Sequence, residues 1–411
     1  ECNAALDFAA DRVVIHLGLN DTDPRDWPNY RDDFTKDYLT LIDAFRQANP
    51  KCEIWICRLT PISHRHTRFK SGTRNWYWQI QQNIEDIAVL AHTGLIDLHT
   101  ELYDRPDLLP DALHPTAEGA GIIARTVYRA LTGNYGGLQM PVIYSDNMVL
   151  QREKPLRIAG TANAGEKVTV SIAGQKGEAI TTSDGKWSVI LPPMKAGGPY
   201  TLSISAESGK LDYTNILIGE VWLCSGQSNM EMPVKGFRGQ PVEGSCDAIA
   251  TALPSDNIRM ITLKINSSQT VLDDCVATPW VESTPANVAD FSATAYFFAS
   301  YLRKVLNVPV GVICSSWGGS KIESWINKEV YTEKFPEISL SVLTKDPKDI
   351  ARPKDEPTLL YNAMIHPIKQ FTIKGTIWYQ GESNLNNPQV YKRLFPAMVR
   401  SWRKEWNQGE F

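Results

Sequence analysis

The residues best suited to chemistry fall in three short turns of the second half of the chain. Gly226-Gln227-Ser228-Asn229-Met230 puts a serine directly after an apolar run, with a glycine that permits a tight turn. Such a turn can hold the Ser228 hydroxyl out over a sheet and leave its own N–H pointing into the same cavity, as a serine nucleophile requires. Met230 occupies the last place where the usual nucleophile elbow has glycine, so that motif is not matched. Trp317-Gly318-Gly319-Ser320 can offer an unobstructed backbone N–H from Gly318 or Gly319. The Gln380 amide, in Gln380-Gly381-Glu382-Ser383-Asn384, can offer another donor. With the Ser228 N–H these would converge on a developing oxyanion, where one donor is typically worth about 100- to 1000-fold in rate.

Beside Ser228 the expected base is missing. His366 is the only histidine after residue 216, and three residues before it stands Ala363, not an acid. It reads as a structural residue supporting the sheet edge. The first part of the chain has the reverse deficit. Gly18-Leu19-Asn20-Asp21 follows an apolar run, and Asp111-Ala112-Leu113-His114-Pro115 precedes a helical pattern. A carboxylate three residues before a histidine fixes its tautomer and stabilises the imidazolium, which suits a general base, and the Asn20 amide can serve as an oxyanion donor. Here the nucleophile is absent: Ser63 and Ser71 lie in a basic loop with no strand-to-turn context. His64 and His66, flanked by Arg65 and Arg68, read as exposed polar residues, because nearby cations oppose metal binding. Trp76, Tyr77 and Trp78 read as helix packing residues. Neither a metal nor a cofactor is expected.

The elements that must position these groups follow from periodicity. Arg12 to Leu17, Glu53 to Leu59 and Gly94 to Leu98 are short apolar runs suited to buried parallel strands. Between them Tyr30 to Gln47 and Asn75 to Leu90 show helical spacing, and Thr116 to Leu131 is a closing helix whose start Pro115 favours. That alternation is α/β with a parallel sheet. Gly133 to Leu138 is a turn-rich break. From Met140 to about Ile216 short β-branched runs (168–172, 187–191, 200–205) alternate with turns, which predicts a small antiparallel sandwich, a spacer rather than a catalytic part. The α/β pattern then returns. Strands at 216–224, 308–315 and 375–380 each run into one of the three turns above, and Thr294 to Leu306 is a helix. Open α/β sheets bind ligands at such strand ends.

Composition narrows the function. The chain has 411 residues, 21% charged and 43% hydrophobic, which fits a folded chain of two or three domains. A formal charge of -4 gives no field to hold nucleic acid or anionic lipid, and no apolar run is long enough to span a membrane. The seven cysteines lack CxxC spacing. Cys246 and Cys275 could pair, while Cys224 and Cys314 read as buried thiols in strands.

GEVWLCSGQSNMEMPV (219–234), SSWGGSKIESW (315–325), YNAMIHPI (361–368) and IWYQGESN (377–384) resemble the sialate O-acetylesterase family of the SGNH hydrolase superfamily. The similarity extends back over 142–170 and 184–193, which resemble the β-domain preceding the catalytic domain there, and so covers about 138–411. It implies serine-dependent removal of O-acetyl groups from a sugar, with Ser228 as nucleophile and Gly318 or Gly319 and Gln380 as oxyanion donors. Glu382 would orient its loop. The catalytic Asp and His of that family lie near the domain's C-terminal end. Residues 11–131 resemble the C-terminal half of a GDSL/SGNH esterase, with GLND and DALHP as its third and fifth blocks.

The expectation is therefore an α/β chain of two partial SGNH-hydrolase-like domains, 1–134 and 217–411, flanking a β-sandwich at 135–216. A composite site, with Ser228 served by Asp111 and His114, is the alternative. Two separate sites are favoured because each part carries its own third block, Asn20 or Gln380. The ends, at Glu1 and Phe411, read as those of a piece of a longer tandem esterase. The partner expected is an acetylated carbohydrate, and a periplasmic or secreted location suits it. A non-catalytic carbohydrate-binding or scaffold protein is the other function class. Oligomeric state has no signal in the sequence.

Overall fold

The most apolar runs form the most buried strands: Val310–Ser316 is buried at every residue. The computed structural model describes residues 6–62, 66, 74–103, 105–345 and 347–411. It divides into two units, Glu1–Thr132 with Thr344–Pro347, and Gly133–Leu343 with Lys348–Phe411.

In the first unit β1 (Arg12–Ile15), β2 (Glu53–Arg58) and β3 (Gly94–Asp97) pair in parallel in that order. Ile15, Ile54 and Ile56 pack on one face with Ile42 of α1 (Trp27–Ala48) and Ile80, Ile84 and Ile87 of α2 (Arg74–Leu90). Cys57 and Ile96 pack on the other face beneath Ile123 and Val127 of α3 (Ala117–Thr132). Strand residues thus alternate between two faces of the sheet. Trp76 and Tyr77 pack against the first face as expected, whereas Trp78 is 41% exposed.

The second unit mixes both kinds of pairing in one sheet. Strands β4 (Val149–Gln151), β5 (Leu156–Thr161), β6 (Lys167–Ile172), β7 (Gln175–Ile180), β8 (Lys186–Leu191) and β9 (Gly197–Ala206) lead to the long β10 (Gly209–Gly226). They are followed by β11 (Ile258–Thr262), β12 (Val281–Glu282), β13 (Val310–Ser316) and β14 (Gly375–Tyr379). The order is β12-β11-β13-β10-β9-β6-β7, with β4 and β14 also pairing β10, while β5 and β8 form a separate antiparallel pair. Strand β10 carries the change of direction. Residues up to Ile218 pair antiparallel with β9, whereas Glu220–Gly226 pairs in parallel with β13 and Trp222–Gly226 with β14.

The border expected at residue 216 is therefore crossed by a strand, and by a core as well. Val168, Val170 and Ile204 of the antiparallel strands join Leu223 and Ile313 of the parallel ones in one buried cluster. On the other side of the sheet Cys224, Met260, Val312 and Cys314 pack against Ala295, Tyr296 and Ala299. Those three belong to the helix Ala293–Leu306, whose N-cap Ser292 accepts the Ala295 N–H. The fold is mixed α/β with parallel and antiparallel sheets.

Candidate active site

Three strand ends of the second unit lie side by side. Gly226 is in register with Ser316 of β13 and with Tyr379 of β14, so each strand delivers its turn to one edge of the sheet. Gly226 has φ +145°, and a Cβ there would lie 2.1 Å from the Tyr379 carbonyl oxygen. Only glycine fits that approach. Gln227 is extended and Ser228 opens a single helical turn, Ser228–Glu231.

Side chains and backbone then tie the turns together. The Gln227 N–H donates to Tyr379 O at 2.9 Å, and its Oε1 accepts the N–H groups of Gly381 (3.2 Å) and Ser383 (3.3 Å). Asn229 Nδ2 donates to Glu382 Oε1 at 2.8 Å. Asn384 Oδ1 accepts the Ile322 N–H at 3.0 Å, while its Nδ2 donates to Glu323 Oε2 at 2.8 Å. The Trp317 N–H closes the remaining side on Gly226 O at 3.1 Å. Within this frame Ser228 is half-buried, and its hydroxyl has no hydrogen-bond partner among the described residues. A rigid frame around an uncommitted hydroxyl is the arrangement a nucleophile needs.

The donors are distributed differently from the expectation. Gln380 uses its amide nitrogen on Ser320 O (3.0 Å) and Asn384 Oδ1 (2.8 Å). An amide has two hydrogens, so none is left for an oxyanion, and here Gln380 braces two turns against each other. The Gly318 N–H is engaged by the carboxylate of Glu231. Glu382, expected to orient its loop, accepts from Asn229. Sequence reasoning did not single out Glu231 or Lys354, whose ammonium donates to Gly318 O at 2.6 Å. Neither contact has a local signal, because both partners are backbone atoms far along the chain.

His366 Nδ1 donates to Leu272 O at 3.0 Å, and burial lowers its pKa.

In the first unit Asp111 and His114 are in side-chain contact. His114 Nδ1 and Asp111 Oδ2 are 2.6 Å apart, and Asp111 Oδ1 accepts the N–H groups of His114 (2.6 Å) and Leu113 (2.9 Å). Those bonds, the His114 N–H first, hold the Asp111 carboxyl well below the usual carboxylate range. An ionised Asp111 keeps the proton on Nδ1 and leaves Nε2 as the basic nitrogen. Asn20 is exposed at the start of the turn Asn20–Thr22, just past β1. Ser63, His64 and Ser71 lie outside the described residues. Cys246 is exposed and Cys275 buried, and both are free thiols, so the two do not pair.

Fold and site together define a mixed α/β architecture that brings Ser228 and two further turns to one set of strand ends. Comparisons with known proteins narrow this. Residues 218–411 match the family described as "Carbohydrate esterase, sialic acid-specific acetylesterase", and residues 1–122 match the "GDSL-like Lipase/Acylhydrolase family". The chain is 32% identical over 292 residues to the sialate O-acetylesterase of Homo sapiens, covering 66% of this chain and 54% of that protein. It is 31% identical over 308 residues to that of Mus musculus, covering 65% and 56%. The crystal structure of a carbohydrate acetylesterase from Xanthomonas citri is similar at 34% identity and TM-score 0.58, covering 66% of this chain and 58% of that one. The resemblances read from the motifs are thus shown for both parts of the sequence. The chain spans about half the length of the curated relatives it matches. Among the described residues no helix is long and apolar enough to cross a membrane.

Proposed function

We propose that the protein is a carbohydrate O-acetylesterase, a serine carboxylic-ester hydrolase in which the Ser228 hydroxyl attacks the acetyl carbonyl. An acetyl-Ser228 intermediate forms, the sugar alcohol leaves, and water releases acetate. The observation that carries this reading is the Ser228 hydroxyl, without a hydrogen-bond partner among the described residues and framed by three strand-end turns. The relatives, a sialate O-acetylesterase and a carbohydrate acetylesterase by name, support the substrate class.

We read the parallel strands of 1–134 and of 217–411 as two hydrolase-like sheets, with the strands of 135–216 between them in sequence. Asp111 and His114 serve the first part, which has its own Asn20. A periplasmic or secreted location fits acetylated glycans as substrates.

Acetate release from an acetylated sugar by the full-length protein tests the reading. Turnover abolished by Ser228→Ala supports it. Binding of acetylated sugar without any turnover favours a carbohydrate-binding scaffold instead.

A further inference from the structure

The turn Trp317–Ser320 can be taken one N–H at a time, since each backbone donor must find an acceptor. The Trp317 N–H goes to Gly226 O and the Ser320 N–H to Trp317 O, both at 3.1 Å. The Gly318 N–H goes to Glu231. That leaves the Gly319 N–H, which has no acceptor among the described residues.

Two side chains outside the turn produce this outcome. Glu231 stands three residues after Ser228 on the same helical turn, which puts both on one face. Its carboxylate fills the space beside Gly318, since a Cβ there would lie 2.8 Å from Glu231 Oε2 and 3.7 Å from Ser228 Cβ. Lys354 approaches with its Nζ 2.6 Å from Gly318 O. Its own backbone is anchored, because Lys354 O accepts the Lys321 N–H at 3.1 Å. The Gly318 carbonyl and the Gly319 N–H belong to one planar trans peptide, so they point in opposite directions. Drawing the carbonyl toward Lys354 turns the Gly319 N–H away from it. Gly319 itself has φ +72°, a conformation that glycine adopts without penalty.

We propose that Glu231 and Lys354 are positioning residues that select the oxyanion donor of this turn. Glu231 takes the Gly318 N–H out of use, and Lys354 holds the next peptide so that the Gly319 N–H is presented to the acetyl oxygen. This inference rests on the esterase reading of Ser228. Glu231 also couples donor to nucleophile, because a shift of the Ser228–Glu231 turn moves both.

Steady-state kinetics of the full-length protein on p-nitrophenyl acetate and on an acetylated neutral sugar test it. Lys354→Met and Glu231→Leu should lower kcat by about 10- to 100-fold, below the cost of deleting a donor outright, with KM within about threefold. Lys354→Arg and Glu231→Gln keep a donor and an acceptor and should recover most of that loss. An unchanged kcat in Lys354→Met overturns the proposal. So does a rise in KM alone, which would make Lys354 a substrate contact. Ser228→Ala separates the two levels: undiminished turnover there sinks the esterase reading itself, whereas a dead Ser228→Ala beside a fully active Lys354→Met sinks only the positioning. Should the apolar variants fail to fold, wild-type protein titrated with a boronic acid that adds to Ser228 decides the matter by amide spectra. The Gly319 amide should shift more than that of Gly318, and an unmoved Gly319 amide overturns the proposal.

Discussion

Gly226 and Tyr379 meet backbone to backbone: a Cβ on Gly226 would stand 2.1 Å from the Tyr379 carbonyl oxygen, the same atom that accepts the Gln227 N–H. The turn that carries Ser228 is seated on β14 through this contact.

Gly226→Ala should therefore damage stability and activity together. A methyl group at that distance must push β14 away, and φ +145° adds strain for any side chain. A loss of roughly 1–3 kcal/mol is expected from denaturant unfolding, with a large fall in kcat. A fully stable, fully active Gly226→Ala would show that the approach does not matter.

Glu382 acts through Asn229 Nδ2, which it holds at 2.8 Å. Glu382→Gln keeps an oxygen acceptor and should cost less than about threefold in kcat, whereas Glu382→Ala frees Asn229 and should cost about tenfold, near the 1.4 kcal/mol of one charge-assisted hydrogen bond. A pH-rate profile that loses an ionisation in Glu382→Gln would make this carboxylate a proton carrier instead.

In the first unit the bonds from His114 and Leu113 hold Asp111 below its ordinary pKa. The sign follows from linkage. A depressed carboxyl contributes stability that is present above its unfolded pKa, about 3.9, and is lost as pH falls through the lowered value. Carboxyl carbon shifts of Asp111 should titrate with a midpoint below that ordinary value, and a midpoint at or above it would contradict the geometry. Asp111→Asn should move the His114 proton from Nδ1 to Nε2, visible in the ring nitrogen shifts.

Cys224 and Cys314 face each other across β10 and β13, and burial pushes the Cys314 thiol up to about 11 and Cys224 well above the usual thiol range. Neither should react with a disulfide reagent at pH 8 until the protein is unfolded, whereas the exposed Cys246 should react at once. Rapid native labelling of Cys314 would place that strand at the surface.

What the sequence disclosed, and what it hid, divides along physical lines. Strand β13 and the second half of β10 are buried on nearly every residue, so their apolar runs stand out. The helix Ala293–Leu306 announced itself by its period. The first half of β10 did not, because residues 209–215 alternate between half-buried and exposed positions and look like a polar loop. That is why a border was expected at 216 where one strand runs through. Ser228 was legible because a buried strand ends in Gly226. The donors around it were not. Which hydrogens Gln380 spends depends on Ser320 and Asn384, and Lys354 and Glu231 reach Gly318 from 36 and 87 positions away. Such partnerships are made by the fold and leave no spacing to read.

The most direct measurement is peptide mass mapping of the full-length protein quenched during turnover of p-nitrophenyl acetate. The account predicts a transient acetyl group on Ser228, absent in Ser228→Ala. Acetyl carried by another residue, or steady release of acetate by the Ser228→Ala protein, would contradict it.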